Sequence, residues 1–356
     1  MPFTKKQSLN IIGVMSGSSM DGIDIALCKF SPKKQTIEYT IINAITIPYP
    51  PSIHSILNNI RNTSAKDFFQ HDVTYGQWIG KTIKKWTTRH HLKADAIAFH
   101  GHTVFHHPEK GFSIQLGNAT QIAAITGIPV VHNFRNADIA LGGQGAPLVP
   151  IGDKLLFHQY DACINIGGIA NVFIQKTNVA FDICIANMAI NYYAQYLHKK
   201  YDKNGHIAAS GNVSPSLLNE LNHLKHLKQK PPKSLNREYF ENHYLPLIQK
   251  YQMPVHDIIS TITEHIATQI AQSISEKYIK NVLITGGGAF NTYLIKRIFF
   301  YAKDKKIHIP DKTIVKFKEA LIFALLGYLR INDEYGNIKE ATGASKNTFC
   351  GEIVKV

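Results

Sequence analysis

Three times in this chain an apolar run ends in a glycine corner, and this recurrence limits the architecture more than any other feature. "NIIGVMSGSSMDGIDIALCKF" (Asn10 to Phe30) and "DACINIGGIANVFIQK" (Asp161 to Lys176) each read as strand, glycine turn, strand. "KNVLITGGGAFNTYLIKRI" (Lys280 to Ile298) reads as strand, triple-glycine turn, helix. Helical periodicity fills the intervals, as in "DFFQHDVTYGQWIGKTIKKWTTRH", "NMAINYYAQYLHKKY", "HDIISTITEHIATQIAQSISEKYI" and "KEALIFALLGYLRI". The alternation predicts an α/β protein. Two halves that each open on a glycine-cornered hairpin suggest a duplicated architecture with a cleft between the lobes.

The 356 residues favour two domains over one. Lys and Arg number 39 against 25 Asp and Glu, a net charge of +14, but the cations are scattered rather than gathered in a stripe with aromatics. Nucleic acid is therefore not an expected partner, and solubility or attraction of an anionic ligand accounts for the charge. Cys28, Cys163, Cys184 and Cys350 lie far apart without a CxxC pair and read as free thiols in a reducing compartment. No segment approaches the roughly 20 apolar residues of a membrane span, and the N-terminal apolar run is short for a signal peptide. A cytoplasmic protein with no membrane partner is expected.

Glycine lets a ligand approach the main chain, and successive exposed N–H groups form an anion cradle. A single such turn is ordinary hairpin chemistry; three in one chain favour nucleotide binding. The candidate cradles are Gly17, Ser18, Ser19, Met20, Asp21, Gly22, Ile23 and Asp24, then Gly167 and Gly168, then Gly286, Gly287 and Gly288. Ser18 and Ser19 add hydroxyl donors, and Asp21 and Asp24 are placed to orient Mg²⁺ directly or through water. No metal ligand is firmly assigned. "GQWIGKT" (Gly76 to Thr82) has one residue too few between its glycines for a P-loop and lies in a helical pattern. "HGHTVFHH" (His100 to His107) lacks partner ligands for a metal; read as a strand, it puts His100 and His102 on one face as cleft lining. "NFRNADIALGGQGAPLVP" (Asn133 to Pro150) reads as a long ligand-binding loop, with a disordered linker as the alternative. Asp182, in "FDICIANMAINYYAQ", reads as the end of a short strand just before a helix, either opening into the cleft or serving as an N-cap.

Taken together, "GVMSGSSMDGID", "HGHTVFH", "DIALGGQGAPLVP", "NIGGIAN", "PPKSLNREYF", "TGGGAFN" and "ATGAS" resemble the anhydro-N-acetylmuramic acid kinase family, in the family's order, from about Ile11 to Ile353. The resemblance implies a two-lobed, duplicated actin-like ATPase fold of the ribonuclease H-like type, with an inter-lobe nucleotide cleft. It implies ATP and Mg²⁺, a homodimer, and a double reaction on 1,6-anhydro-N-acetylmuramic acid. Water opens the anhydro bridge while ATP phosphorylates the freed O6, giving N-acetylmuramic acid 6-phosphate in cell-wall recycling. By resemblance Gly17 to Asp24 is the phosphate loop, Asp182 the base that takes the water's proton, and Gly286 to Gly288 the turn near adenosine. His102, Arg135, Asp138, Gln144 and Glu319 fall on the substrate side, with Arg135 suited to the sugar's lactyl carboxylate. Glu319 has an alternative as a first-turn helix acid.

The chain departs from the family's usual pattern at "DICIAN" (Asp182 to Asn187), where "DTGPGN" is common, and at Asn133, where Asp is usual. The expected lobes are residues 1–130 with 341–356, and 131–340, with "ATGAS" closing back on the first sheet. The "DICIAN" departure leaves a kinase of another amino sugar as one rival. A nucleotide-dependent scaffold ATPase is the other, although the chain has no spare length for a partner-binding domain.

Overall fold

The structure, a computed structural model, describes residues 7–17, 22–33, 36–231 and 233–356. They fall into two compact units, Met1–Leu156 with Phe317–Val356, and Phe157–Lys316. The division therefore comes at 156/157 and 316/317, where the sequence placed it at 130/131 and 340/341. The loop read as opening the second lobe is instead built into the first unit by the contacts of Arg135 and Asp138 described below.

In the first unit the strands are β1 (Leu9–Ser16), β2 (Gly22–Lys33), β3 (Thr36–Pro48), β4 (Ala96–Phe99), β5 (His102–His107), β6 (Phe112–Leu116) and β7 (Val130–His132). In the second they are β8 (Ala162–Ile166), β9 (Ile169–Ile174), β10 (Val179–Ile185), β11 (Asn281–Thr285) and β12 (Lys306–His308). A last strand, β13 (Glu352–Val354), returns to the first unit antiparallel to β7.

The sheet orders are β13-β7-β4-β1-β2-β3 and β10-β9-β8-β11-β12. In each, the first three strands run antiparallel in succession, and the fourth and fifth extend the sheet in parallel from the first. The two units thus share one topology, the α/β duplication that the paired glycine corners suggested and the resemblance implied.

β1 and β4 are near-continuous apolar runs because both their faces are covered. On one face Ile12 and Val14 pack with Tyr75, Ile79, Ile83 and Trp86, the buried stripe of the helix Ala65–Arg89. "GQWIGKT" is the middle of that helix, in agreement with its reading as no P-loop. On the other face lies the helix Lys312–Ile331, so close that a Cβ on Gly13 would stand 1.9 Å from the Ala320 carbonyl oxygen. Glycine at 13 is what lets the helix bearing Glu319 lie directly on β1. In the second unit β8 and β11 pack against the helices Val255–Ser273 and Thr292–Tyr301 through Ile164, Ile284, Ile262, Ile266 and Ile298.

Candidate active site

At the end of β1 in the first unit, the Ser16 hydroxyl lies 3.0 Å from His102 Nδ1 and 2.6 Å from the Tyr49 hydroxyl, which meets Tyr75 at 3.2 Å. Ser18, Ser19, Met20 and Asp21, the centre of the expected phosphate loop, lie outside the described residues. Of its flanks, Gly17 ends the approach and Gly22 opens β2. Ile23 is fully buried, so its side chain is core. Asp24 is half-buried and accepts from Thr46 Oγ1 at 2.6 Å.

His100 and His102 do not share a strand face as expected. The chain breaks at Gly101 (φ +81°) between β4 and the β5–β6 hairpin, and the two imidazoles take different partners. His102 bonds Ser16; His100 Nε2 lies 2.8 Å from Arg135 Nη2. The guanidinium is the donor there, so His100 is neutral, in line with burial and the Arg135 charge holding it well below the usual imidazole range. Arg135 also donates to the Gly145 carbonyl at 2.7 Å, and its Nε is buried without a partner among the described residues. Burial lowers its pKa to about 10, against the attraction of Glu319. The fork is thus spent mainly on the protein rather than held open for the sugar's carboxylate.

Asp138 is bonded wholly within the protein. The segment read as a long loop contains a short helix, Asn136–Ala140, and Asp138 within it is 0% exposed. Its Oδ1 accepts from Asn337 at 2.6 Å and Thr342 Oγ1 at 2.7 Å, and its Oδ2 from the Gly145 N–H at 2.8 Å. A carboxylate with no exposed surface and three donors pins the glycine loop to the C-terminal "ATGAS" return; it does not present itself to a ligand. Gln144, next in that loop, exposes its side chain while its N–H bonds the Thr342 carbonyl at 2.8 Å. Asn133 adopts φ +56°, a left-handed geometry that Asn and Asp both tolerate.

Glu319 is half-buried on the helix over β1. Burial and then the Asp24 charge push its carboxyl up, with Lys318 and Arg135 opposing. Its neighbour Lys318 makes a buried ion pair with Asp153 at 2.6 Å.

In the second unit Asp182 lies inside β10, at a bulge where the register with β9 shifts between Asp182 and Cys184. It is neither a strand end nor a cap, since the helix Asn187–Ala194 has Ala186 at its N-cap. Its Oδ2 accepts from the Leu235 N–H at 2.7 Å, and Oδ1 has no partner among the described residues. Burial raises its pKa, with the Leu235 bond opposing. The "DICIAN" departure falls on Ile183, Cys184, Ile185 and Ala186, all at most 3% exposed, so the changed side chains pack inward.

The second unit also brings the two remaining glycine turns together. Gly286 has φ +83°, and a Cβ there would meet Asn165 Oδ1 at 2.6 Å; one on Gly288 would meet Ile166 Cγ2 at 2.2 Å. Among the described residues a Cβ on Gly287 would meet only Asn187 Nδ2, at 3.9 Å, so it is the open member. The Gly167 and Gly168 carbonyls accept from Asn187, Ala186 and Met188 N–H groups, so this turn caps a helix as well as cornering a hairpin. Sequence reasoning missed Ser16, Asn165, His226 and Lys233. "PPKSLNREYF" was the signal for Lys233 and Leu235, but nothing local ties it to Asp182.

A family model described as anhydro-N-acetylmuramic acid kinase matches residues 9–356. A protein of that name from Francisella tularensis subsp. novicida is 38% identical over 96% of this chain and 97% of its own length. One from Rippkaea orientalis is 37% identical over 96% and 98%. Among solved structures, the Acidaminococcus fermentans (R)-2-hydroxyglutaryl-CoA dehydratase component A superposes with a TM-score of 0.47 at 13% identity, covering 92% of this chain and 100% of that one. By its full-length match, this chain belongs to the anhydro-N-acetylmuramic acid kinase family.

Proposed function

We propose that the chain is an ATP-dependent kinase that opens 1,6-anhydro-N-acetylmuramic acid with water and phosphorylates O6, yielding N-acetylmuramic acid 6-phosphate and ADP. The reading is carried by family membership across residues 9–356. Asp182 supports it chemically: one carboxylate oxygen is fixed by Leu235, and the other is left to receive a proton. Water gives that proton to Asp182 as its oxygen bonds the anomeric carbon and the bridge C1–O6 bond breaks. O6 then bonds the γ-phosphorus, and the bond to ADP breaks. A raised pKa makes the ionised Asp182 carboxylate a stronger base.

The residues present suit Mg²⁺. Asp24 and Glu319 repel each other, and an oxygen-liganded dication relieves such a pair. Among the described residues there is no group of three metal-ligating side chains. That fits an ion held by one or two carboxylates together with substrate phosphates. Asp24, with Asp21 beyond the described residues, would hold it, and when bound it neutralises phosphate charge. We place the enzyme in the cytoplasm, supported by four buried cysteines that carry free thiol groups rather than disulfides. A homodimer rests on the resemblance alone. The inward packing of "DICIAN" removes the motive for a different amino sugar.

Mass spectrometry of product made in ¹⁸O-water tests the reading. Label at the anomeric hydroxyl, none in the phosphate, and near-complete loss of turnover in Asp182→Asn are expected. Label in the phosphate, or an active Asp182→Asn enzyme, refutes it.

A further inference from the structure

β10 is the edge of its sheet among the described residues, and Asp182 sits at a bulge, where the ladder holds a residue least firmly. The outward N–H and C=O of Asp182 nevertheless both have partners, and neither belongs to a strand. The N–H donates to the Lys233 carbonyl at 3.0 Å, and the carbonyl accepts from His226 Nε2 at 3.0 Å. Lys233 Nζ in turn donates to the His226 carbonyl at 3.2 Å and to that of Leu227 at 3.3 Å. Each of the three residues is therefore bonded to the other two. Leu235, two positions beyond Lys233, adds the N–H that holds the carboxylate itself.

We propose that His226 and Lys233 are positioning residues that fix the aim of the Asp182 carboxylate by closing a hydrogen-bonded triangle around its main chain. The inference rests on the reading of Asp182 as the base. A rotating Asp182 would trade the single free oxygen for an indeterminate one, and a base misplaced by about 1 Å costs up to about a hundredfold in rate. The triangle removes that freedom by using a strap some fifty residues away in place of the missing neighbour strand.

His226 is 4% exposed and neutral, its pKa lowered chiefly by burial, so it enters the triangle as an Nε2–H donor. Lys233 lies over the Phe181 ring at 5.7 Å, which holds its stem along β10. The other titratable groups near Asp182 are Cys184 on the same strand, kept as a thiol by burial, Tyr239, whose ring faces His226 at 5.8 Å, and Tyr244 and His265, which line one cavity with Cys184 and His226 and are held neutral by burial. Lys233 is the one formal cation in this set. Its removal alters charge as well as geometry, whereas replacing a neutral His226 alters geometry alone.

The test uses the full chain and the anhydro sugar, measuring kcat, the KM for ATP, the pH profile of kcat/KM and the melting temperature. His226→Leu keeps bulk and removes the donor; His226→Gln restores an N–H; Lys233→Met keeps the stem and removes the ammonium. The expected result for His226→Leu and Lys233→Met is kcat lowered about 10- to 100-fold with the KM for ATP unchanged. The acid limb should move to higher pH, because a strap that shifts takes the pKa-lowering Leu235 bond with it. His226→Gln should recover most of the loss and the wild-type limb. Unchanged kcat and limb in His226→Leu overturn the inference. So does a fall in kcat with no shift in the limb and no rescue by glutamine, which is what simple packing damage gives. If His226→Leu fails to bind ATP, Lys233→Met and His226→Gln decide by the same criteria. An inactive wild type refutes the proposed reaction instead, and an active Asp182→Asn enzyme refutes the base assignment, both outcomes separate from these.

Discussion

Asp138→Asn separates what the residue's loop suggests from what its burial dictates. The carboxylate carries no exposed surface and accepts three hydrogen bonds, from Asn337, Thr342 and the Gly145 main chain. An asparagine of the same shape keeps one oxygen. If that oxygen faces Asn337 and Thr342, its NH₂ faces the Gly145 N–H, donor against donor. The loss is one charge-assisted bond, about 1.5–3 kcal/mol, together with a buried donor left unmade, about 1–3 kcal/mol. Because the loop relaxes in part, about 3 kcal/mol is a fair net. For a unit of roughly 200 residues this lowers Tm by about 6–12 °C.

The assay pairs a thermal melt of the unliganded chain with sugar kinetics at 20–25 °C below the variant's Tm (about ten degrees colder than needed for the wild type). Gly145 also accepts from Arg135, so a modest rise in the sugar KM, within about threefold, accompanies the loosened loop. A melt unchanged from wild type with a KM raised more than about tenfold would refute the reasoning, because that is the signature of a ligand contact and not of a buried pin.

Asp182→Asn should melt no lower than wild type at pH 7.5 even as turnover vanishes. The fold raises this carboxyl's pKa, so its stabilising contribution exists below the unfolded value and is lost as pH rises through the folded one; a clear drop in Tm would contradict this. His265 carries the opposite sign. Fully buried, its pKa is lowered by desolvation to about 3 against an unfolded value of about 6.5, so stability should fall by about 1.4 kcal/mol per pH unit below pH 6.5. Urea midpoints between pH 7 and 5 should show the fall, and His265→Gln, which can still bond Asn222, should flatten it; an equally steep variant rules His265 out as the cause.

What the sequence made legible was whatever repeats or runs locally. Glycine corners located the hairpins of both units, and the apolar runs located β1, β8 and β11. Lys81 in "GQWIGKT" was separated from phosphate chemistry by the short glycine spacing and by helical periodicity. The failures share a cause, namely partners far along the chain. Asp138 meets Asn337 and Thr342 about two hundred residues on, so nothing local in "LGGQG" shows that Gly143 is required because a Cβ there would lie 2.2 Å from Asp138 Oδ2. Asp182 meets Leu235 fifty-three residues on, and the bulge that displaces it from the strand end leaves no mark in composition. His100 and His102 were misread for a local reason: Gly101 turns left-handed and breaks the alternation on which the shared face depended.

The common topology of the two units explains why their polar groups gather where they do. In both, a first strand ends at a glycine turn into its antiparallel neighbour, while a parallel fourth strand ends beside it. β1 finishes at Ser16 and β4 at Phe99, just before His100; β8 finishes at Ile166 and β11 at Thr285, just before Gly286. Carboxyl ends of parallel strands are where open α/β sheets bind ligands, because the last residues escape the ladder and can aim their side chains or main chain outward. The duplicated positions are not duplicated chemistry. The first unit spends its strand ends on a serine, two imidazoles and an arginine, groups that donate and orient, whereas the second spends them on Asn165 and an open Gly287. Within its own unit Asp182 lies on the third strand, inside β10 and not at the end of β8 or β11, which is where the strap proposed above would hold it.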